Sequence, residues 1–262
     1  MVDLCYTVKN KNNKKLTKEG EYIKQNPENF SVEKTSVWSF KDRGSWATHN
    51  GNYRGNWSPY VPRNLILRYS KIGDWVLDQF VGSGTTLIET RLLERNGIGL
   101  DINPKAINIS KSNLDFRTKS KSKIYLQEGN ALDLSILKDN SIDLICTHPP
   151  YLNIIKYSKS ITDDLSLASQ DKFIFGIKKV AKEAYRVLKR QKHCCIMMGD
   201  IRQKGNVIPL GFKVMQEFLD AGFVLKEIII KEQHHCKSTK LWEKANINFL
   251  LLAHEYIFVF KK

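Results

Sequence analysis

The stretch that decides the fold is Asp74-Trp-Val-Leu-Asp-Gln-Phe-Val-Gly-Ser-Gly-Thr-Thr86. It begins with a short apolar run, Trp75–Asp78, which is typical of a buried strand and ends in a carboxylate. Two glycines follow, and their lack of a side chain lets the backbone turn sharply and approach a ligand. Thr85 opens a helical pattern whose first N–H groups are free to receive a carboxylate. The stretch therefore predicts a strand, a glycine turn and a helix.

Strand and helix patterns alternate along the rest of the chain. Further strands are predicted at Gly97–Leu100, Lys123–Gln127, Ile142–Cys146 and Cys194–Met198. Helices are predicted at Asn64–Ser70, Thr85–Asn96, Ala106–Phe116, Phe173–Leu188 and Phe212–Ala221. This alternation predicts an α/β fold with a mostly parallel, doubly wound sheet. The apolar segments Phe223–Ile230 and Phe249–Phe260 predict a C-terminal antiparallel strand pair.

Composition bounds the domain organisation and the class of partner. The chain has 262 residues, 42% of them hydrophobic, which is enough for one large α/β domain. Residues 1–35 are polar and predict a loosely held arm, whereas residues 36–262 predict a single domain without a separate large target-recognition domain. The formal net charge of +15 favours a polyanionic partner, or else it reflects solvated lysine-rich surfaces.

Cysteine usage and hydropathy indicate a cytoplasmic protein. The five cysteines are odd in number and form no C-x-x-C pair, so we expect reduced thiols without a disulfide framework or zinc site. Cys194 and Cys195 lie in an apolar run and are expected in the core. We expect no signal peptide, no membrane span and no membrane partner. His234-His235-Cys236 lacks a second group of ligands, and we interpret it as a loop.

Acidic residues end the first two predicted strands. Asp78 and Asp101 would lie at the same edge of a parallel sheet, where ligands bind in such folds. Asp101 is placed to accept hydrogen bonds from a ribose, so the set indicates an adenosine-containing cofactor. Leu87 stands where G-x-G-x-x-G would have its third glycine, which favours S-adenosylmethionine over NAD.

A second motif, Thr147-His-Pro-Pro-Tyr151, follows the predicted strand Ile142–Cys146. Its two prolines fix an extended backbone and donate no N–H groups. The neighbouring carbonyls can then accept hydrogen bonds from the exocyclic amine of a base and turn its nitrogen lone pair towards a methyl donor. Tyr151 offers a ring for stacking a base flipped out of a duplex. The motif predicts methyl transfer by positioning, without a covalent intermediate.

The two motifs resemble those of the DNA amino-methyltransferases, the adenine-N6 and cytosine-N4 enzymes. Their first motif, D-x-F-x-G-S-G-T, is matched by Asp78, Phe80, Gly82, Ser83, Gly84 and Thr85. Their fourth, Asp/Asn/Ser-Pro-Pro-Tyr, is matched by Pro149, Pro150 and Tyr151. The resemblance covers about residues 56–260; Asn56–Pro62 is similar to their cofactor-side segment and His254–Phe260 to their final hairpin strand.

The resemblance implies a Rossmann-like class I methyltransferase using S-adenosylmethionine. It also implies duplex DNA with a flipped base as the substrate, as in restriction–modification, with a cognate restriction endonuclease as a partner. The catalytic candidates are His148, Pro149, Pro150 and Tyr151. The cofactor-binding candidates are Pro59, Asp78, Phe80, Gly82, Ser83, Gly84, Thr85, Asp101, Asn130 and Ala131. No metal ligand is expected.

Three features depart from the family pattern. His148 stands where the family has Asp, Asn or Ser; a neutral imidazole can accept one hydrogen bond, or the ring packs beside the cleft without a catalytic part. The donor motif precedes the transfer motif, whereas many relatives have the reverse order. No insert is long enough for a recognition domain, so we expect loops 38–60, 152–170 and 231–246 to read the target. The Thr-x-Pro-Pro-Tyr context slightly favours cytosine-N4 over adenine-N6.

The segment 38–60 interleaves five Trp and Tyr residues with arginines, glycines and a proline. It suits base stacking and phosphate contact, and equally a lid over the cofactor. Two other functions stay open: an RNA base or protein amide N-methyltransferase, and a non-catalytic nucleic-acid-binding protein on the same fold. A ring-carbon cytosine methyltransferase is excluded, because its nucleophilic cysteine follows a proline and the chain has no Pro-Cys.

Overall fold

A computed structural model describes residues 24–234 and 248–262. The strands are β1 (Val37–Trp38), β2 (Trp75–Asp78), β3 (Asn96–Asp101), β4 (Ile124–Glu128), β5 (Ile142–Thr147), β6 (Leu188–Met198), β7 (Ile201–Gln203), β8 (Asn206–Ile208), β9 (Val224–Glu232) and β10 (His254–Lys261). The helices are α1 (Tyr60–Tyr69), α2 (Thr85–Leu92), α3 (Pro104–Asn113), α4 (Gln170–Val187) and α5 (Leu210–Asp220), with a 3-10 turn at Leu165–Leu167. Most of the predicted arm 1–35 and of the predicted loop 231–246 lie outside the described ranges.

Eight strands form one sheet in the order β1-β9-β10-β6-β5-β2-β3-β4. The strands from β6 to β4 run parallel, and β10 runs antiparallel to both of its neighbours. The predicted mostly parallel sheet with a C-terminal antiparallel pair is therefore confirmed. The chain moves outward from β2 through β3 to β4 and then returns to β5 on the other side of β2. The strand order thus reverses between β2 and β5, where a crevice forms at the carboxyl ends.

Helices cover both faces of the sheet. Phe173 of α4 and Phe218 of α5 belong to one buried cluster, and Leu65 of α1 belongs to another. Val76 and Leu77, neighbours in β2, contribute to opposite clusters because side chains alternate across a strand. A third cluster joins α2 to β4. Burial on both faces explains why the central strands read as continuous apolar runs.

Element boundaries differ from the predictions where turns intervene. The helix predicted over Thr85–Asn96 ends at Leu92, because Glu94 adopts φ +62° and Asn96 already pairs with Trp75 in the sheet. β1 was not predicted; its two residues pair in parallel with β9 and form one edge of the sheet. The hairpin β7–β8 was also missed. Within the described ranges, no helix combines the length and apolarity needed to cross a bilayer.

Candidate active site

A cleft lies at the carboxyl ends of β2, β3, β4 and β5, at the reversal of strand order. It encloses about 760 Å³ of empty space, which includes space open to solvent. Its lining brings together ten of the predicted residues: Asp78, Phe80, Gly82, Ser83, Thr85, Asp101, Asn130, Ala131, His148 and Pro150. The other four predicted residues, Pro59, Gly84, Pro149 and Tyr151, lie outside this lining.

Residues 78–86, which we call the elbow, turn the chain from β2 into α2. Gly82 has φ +50° and faces the cleft, where an added Cβ would lie 3.3 Å from Cε1 of Tyr53. Gly84 has φ +86° and faces α3, where an added Cβ would lie 2.4 Å from Oγ of Ser110. Positive φ favours glycine at both positions. The two glycines, however, face different neighbours. Gly82 opens the backbone towards the cleft, whereas Gly84 lets α3 approach the elbow.

Asp78 ties the elbow to the neighbouring strand. Its Oδ1 accepts hydrogen bonds from Oγ1 of Thr147 at 2.7 Å and from the backbone N–H of Phe80 at 3.1 Å, and its Oδ2 accepts from Oγ1 of Thr86. Only 2% of Asp78 is exposed, and burial raises the pKa of its carboxyl to about 6. Both of its oxygens are thus engaged by the protein itself, so Asp78 joins β2, β5 and α2.

Asp101 reaches over the elbow from the end of β3. Its Oδ2 accepts from the N–H of Gly82 at 3.0 Å and its Oδ1 from the N–H of Asn103 at 2.9 Å. Burial raises the pKa of Asp101 to about 6. Because a carboxylate oxygen can accept two hydrogen bonds, each oxygen keeps a position for a ligand hydroxyl. Asp101 therefore has the geometry expected of a ribose acceptor.

The aromatic segment, residues 36–62, covers the elbow and is called the aromatic cover below. Tyr53 stacks on Tyr157, with ring centroids 5.9 Å apart and an interplanar angle of 12°. Nδ2 of Asn103 donates to the carbonyl of Tyr157 at 2.8 Å, and Nδ2 of Asn56 contacts Oγ of Ser83 at 3.2 Å. Tyr53 and Tyr157 thus bring two of the three predicted recognition loops, 38–60 and 152–170, together at the cleft.

A buried carboxylate anchors the aromatic cover to α2. Oε1 of Glu89 accepts from Nε1 of Trp46 and lies 2.7 Å from Nε2 of His49. Oε2 of Glu89 accepts from Nη1 of Arg63 at 2.8 Å. Glu89 is fully buried, so these bonds lie in a region of low dielectric where an unpaired charge is costly. The cover is therefore fixed to the helix that follows the elbow.

His148 occupies the opposite wall of the cleft, directly after β5. Its ring stacks on Trp57, with centroids 5.4 Å apart and an interplanar angle of 21°. Its Nε2 lies 2.7 Å from the hydroxyl of Tyr151, which donates to Glu255 at 2.8 Å. Burial lowers the pKa of His148 to about 4, so the imidazole is neutral at physiological pH. It can then act as a hydrogen-bond acceptor.

Tyr151 lies beside this wall. An added Cβ at Gly199 would meet its ring at 2.8 Å, so the ring is packed against the end of β6. Stacking of a base on Tyr151 stays a prediction. The cleft residues that the sequence did not assign to the site are chiefly Tyr53, Gln79, Asn103 and Tyr157, whereas Asn56 and Trp57 belong to the segment that resembles the family's cofactor-side segment. For Tyr53 and Trp57 the interleaved aromatic pattern was a signal, whereas Tyr157 had none beyond its position in a loop.

The three cysteines within the described ranges lie outside the lining of the cleft. Cys146, Cys194 and Cys195 are free and buried in the core, as predicted for the last two. Burial raises the pKa of Cys146 and Cys194 well above the usual value, which keeps their thiols protonated. In residues 24–234 and 248–262, no three His, Cys, Asp or Glu side chains are grouped as a metal ion would need. His235 and Cys236 lie outside those ranges.

The geometry of the cleft agrees with the protein families whose models match the sequence. The N6/N4 family model, described as DNA methylase, matches residues 4–112 and 142–262. The chain belongs to this family of DNA methylases. A second model, the methyltransferase domain of RMKL-like proteins, matches residues 66–184.

Individual relatives match shorter segments. The type II methyltransferase M.BglI of Bacillus subtilis is 34% identical over 103 residues, which are 36% of this chain and 29% of that protein. The type II methyltransferase M.MthZI of Methanothermobacter thermautotrophicus is 28% identical over 141 residues, 44% of this chain and 40% of that protein. A tRNA (guanine(10)-N2)-dimethyltransferase from the same species is 32% identical over 100 residues, 38% of this chain and 29% of that protein. The chain thus spans well under two thirds of these relatives.

Solved structures share the fold at low sequence identity. A SAM-dependent methyltransferase from Methanosarcina mazei superposes with a TM-score of 0.53 at 17% identity, covering 76% of this chain and 96% of that one. TrmN from Thermus thermophilus gives a TM-score of 0.54 at 16% identity, covering 80% and 50%. The predicted Rossmann-like methyltransferase fold is confirmed.

The family and the fold imply S-adenosylmethionine as the methyl donor, and the cleft fits it. Asp101 keeps acceptor positions for ribose hydroxyls. The backbone at Gly82 is open towards the cleft. The side-chain amide of Gln79 is buried in the cleft wall, and neither of its polar atoms has a partner in the described parts of the chain. Such a group is stabilised by a ligand that hydrogen-bonds to it.

Proposed function

We propose that the protein transfers a methyl group from S-adenosylmethionine to the exocyclic amine of a base in DNA, with cytosine-N4 slightly favoured over adenine-N6. The observation that carries the proposal is the shared cleft, with the elbow and Asp101 on one wall and neutral His148 on the other. Family membership supports DNA as the substrate. The preference for cytosine rests on the Thr-x-Pro-Pro-Tyr motif.

Each wall has a separate task in this proposal. Asp101 binds the ribose and the elbow backbone holds the donor; once bound, S-adenosylmethionine supplies an electrophilic methyl group. His148 accepts a hydrogen bond from the amine and so turns the nitrogen lone pair towards that methyl. Methyl transfer would leave the amine nitrogen cationic, and the neutral imidazole of His148 would be placed to accept the proton that this nitrogen releases. Positioning is the main catalytic effect.

The substrate in this proposal is duplex DNA with its target base flipped into the cleft. A base within a duplex cannot bring its amine to His148 without leaving the stack. The net charge of +15 supports contact with phosphates, and the loops 38–60 and 152–170 border the cleft where the target would be read. Type II methyltransferases among the relatives support a role in cytoplasmic restriction–modification, with a cognate endonuclease as the partner.

A base in RNA is the second candidate substrate. It is supported by the similarity to a tRNA guanine-N2 dimethyltransferase over 100 residues. The fold does not discriminate between the two nucleic acids. The experiment must therefore offer both.

The test uses donor labelled in its methyl group with duplex DNA, single-stranded DNA and tRNA, followed by digestion to nucleosides and mass spectrometry. Labelled N4-methylcytosine is expected from duplex DNA. Labelled N6-methyladenine would show that the target base is adenine and not cytosine. Label found only in RNA would show that RNA, and not DNA, is the substrate. Donor binding without transfer to any nucleic acid would indicate a non-catalytic binder.

The variant His148→Ala tests the acceptor. We expect about a 100-fold loss of kcat with little change in donor Kd, because a positioned hydrogen-bonding group is removed from the transfer wall only. His193→Ala is the matched control, since His193 also has a pKa lowered to about 4 by burial but lies outside the cleft. A loss below about tenfold for His148→Ala, or an equal loss for His193→Ala, would reduce His148 to a packing residue.

A further inference from the structure

We infer that Glu255 is a positioning residue that acts through Tyr151 to fix the tautomer of His148, so that Nδ1 presents its lone pair to the substrate amine. This inference rests on the proposed function. It assigns a task to β10, which contributes no residue to the cleft lining. It also explains how a histidine can work where the family has a carboxylate, amide or hydroxyl oxygen.

Four side chains form a continuous chain of hydrogen bonds beside the cleft. Nζ of Lys231 on β9 donates to Oε2 of Glu255 on β10 at 2.9 Å. Oε1 of Glu255 accepts from the hydroxyl of Tyr151 at 2.8 Å, and that oxygen lies 2.7 Å from Nε2 of His148. The side chains of Lys231 and Glu255 are only 13% and 9% exposed, so water competes weakly for these bonds.

The charges determine the direction of every bond in this chain. Burial, the largest single influence, raises the pKa of Glu255, but the positive charge of Lys231 and the hydrogen bonds from Lys231 and Tyr151 contribute to lowering it, and the net shift is downward from the usual value. An ionised carboxylate can only accept, so the single hydrogen of the Tyr151 hydroxyl points to Glu255. The tyrosine oxygen can then only accept from His148. His148 must therefore carry its proton on Nε2.

The other ring nitrogen is left as the acceptor. Within residues 24–234 and 248–262, Nδ1 of His148 makes no hydrogen bond to the protein. The ring lines the cleft, and stacking on Trp57 fixes its plane. If the proton were on Nδ1 instead, the cleft would present an N–H donor to an amine that is itself a donor. The tautomer thus decides whether the wall attracts or repels the substrate amine.

The substitution Glu255→Gln reverses the direction of the hydrogen bonds from residue 255 to His148 with almost no change in side-chain shape. Lys231 can only donate, so it selects the orientation in which the amide oxygen faces Lys231 and the amide N–H faces Tyr151. The tyrosine oxygen then accepts from the glutamine, and its hydrogen turns to Nε2 of His148. The imidazole proton must move to Nδ1.

The experiment reads the tautomer directly by NMR of the full chain labelled with ¹⁵N at histidine, with the His148 signals assigned by their loss in His148→Ala. We expect the Nε2–H tautomer in the wild type and Nδ1–H in Glu255→Gln. For the variant we expect a loss in kcat of about 100-fold, with unchanged donor Kd. Tyr151→Phe interrupts the chain and should lower kcat less, because it removes the fixed direction without imposing the wrong one.

Glu227→Gln is the matched control. The carboxylate of Glu227 also accepts from a tyrosine, Tyr69, at 3.3 Å, but lies exposed on β9 away from the cleft. It should leave the His148 signals and kcat unchanged. An Nδ1–H tautomer in the wild type, an unchanged tautomer in Glu255→Gln, or a switched tautomer with unchanged kcat would each overturn the inference. The tautomer is read without substrate, so a protein inactive on both DNA and RNA would instead overturn the proposed function.

Discussion

The elbow and the aromatic cover meet at the same cleft but are held in place by different means. In the elbow, the bonds from Thr86 to Asp78 and from Gly82 to Asp101 join residues 8 and 19 positions apart. In the cover, Trp46 bonds to Glu89 across 43 positions, and Trp57 stacks on a ring beyond β5. A short motif therefore encodes the turn of the elbow, although Asp78 also accepts a hydrogen bond from Thr147, 69 positions away. The cover depends on partners that no local pattern identifies.

The largest expected effect is on the anchor of the cover. Glu89→Ala should lower the free energy of unfolding by about 3–5 kcal/mol, because it leaves the buried charge of Arg63 without its partner. Urea unfolding followed by tryptophan fluorescence measures the change. Glu94→Ala is the control, since Glu94 is exposed in the turn that follows α2 and should change stability by less than about 0.5 kcal/mol. Similar losses in both variants would mean that the cover is not held by Glu89.

A smaller effect, again on the free energy of unfolding, distinguishes the contribution of close packing at Gly84 from that of its positive φ. Gly84 and Gly73 have nearly the same φ, +86° and +83°, but a Cβ at Gly73 meets nothing within 4 Å. Gly73→Ala should lower the free energy of unfolding by about 1–2 kcal/mol, because alanine disfavours this positive φ. Gly84→Ala should cost about 1–3 kcal/mol more, because its Cβ collides with Oγ of Ser110.

Ser110→Ala provides the rescue. Its Oγ is buried without a hydrogen-bond partner in the described residues, so its removal costs little. The double variant Gly84→Ala/Ser110→Ala should recover most of the additional loss in thermal or urea unfolding. If Gly84→Ala cost no more than Gly73→Ala, the close approach of α3 would not be what requires glycine at position 84.

The smallest expected effect is the pH dependence of donor binding. The competent form of Asp101 is the ionised one, and its pKa is raised to about 6, so affinity is full above this pH and is lost as pH falls through it. We expect Kd for S-adenosylmethionine to weaken about tenfold from pH 7 to pH 5 in calorimetric titrations, one decade per unit below the pKa. Asp101→Asn should bind more weakly at pH 7 and show a flatter profile. A wild-type Kd independent of pH would contradict the role of Asp101.

The sequence predicted the parallel sheet and ten of the 23 residues that line the cleft, because contiguous residues in the two motifs carry that information. It could not show that Gly84 faces α3 or that the hydroxyl of Tyr151 bonds to Glu255 across 104 positions. It also gave no reason to place Tyr157 on Tyr53. These contacts arise when loops from distant parts of the chain fold over one sheet edge, and no periodicity or spacing records them.

The hydrogen bonds from Thr147 and Thr86 to Asp78 limit which parts of the protein can be redesigned. Thr147, one of its donors, immediately precedes His148, and Thr86, another, lies in the first turn of α2. The elbow, which we propose holds the methyl donor, and His148, which we propose accepts from the amine, are therefore both connected to one buried group. Loop grafts that seek a new recognition sequence should retain Asp78, Thr86 and Thr147. Within the loop 152–170 they should also keep Tyr157, which stacks on Tyr53, and Leu165, which packs in the core. We expect a change at Asp78 to disturb cofactor retention and turnover together.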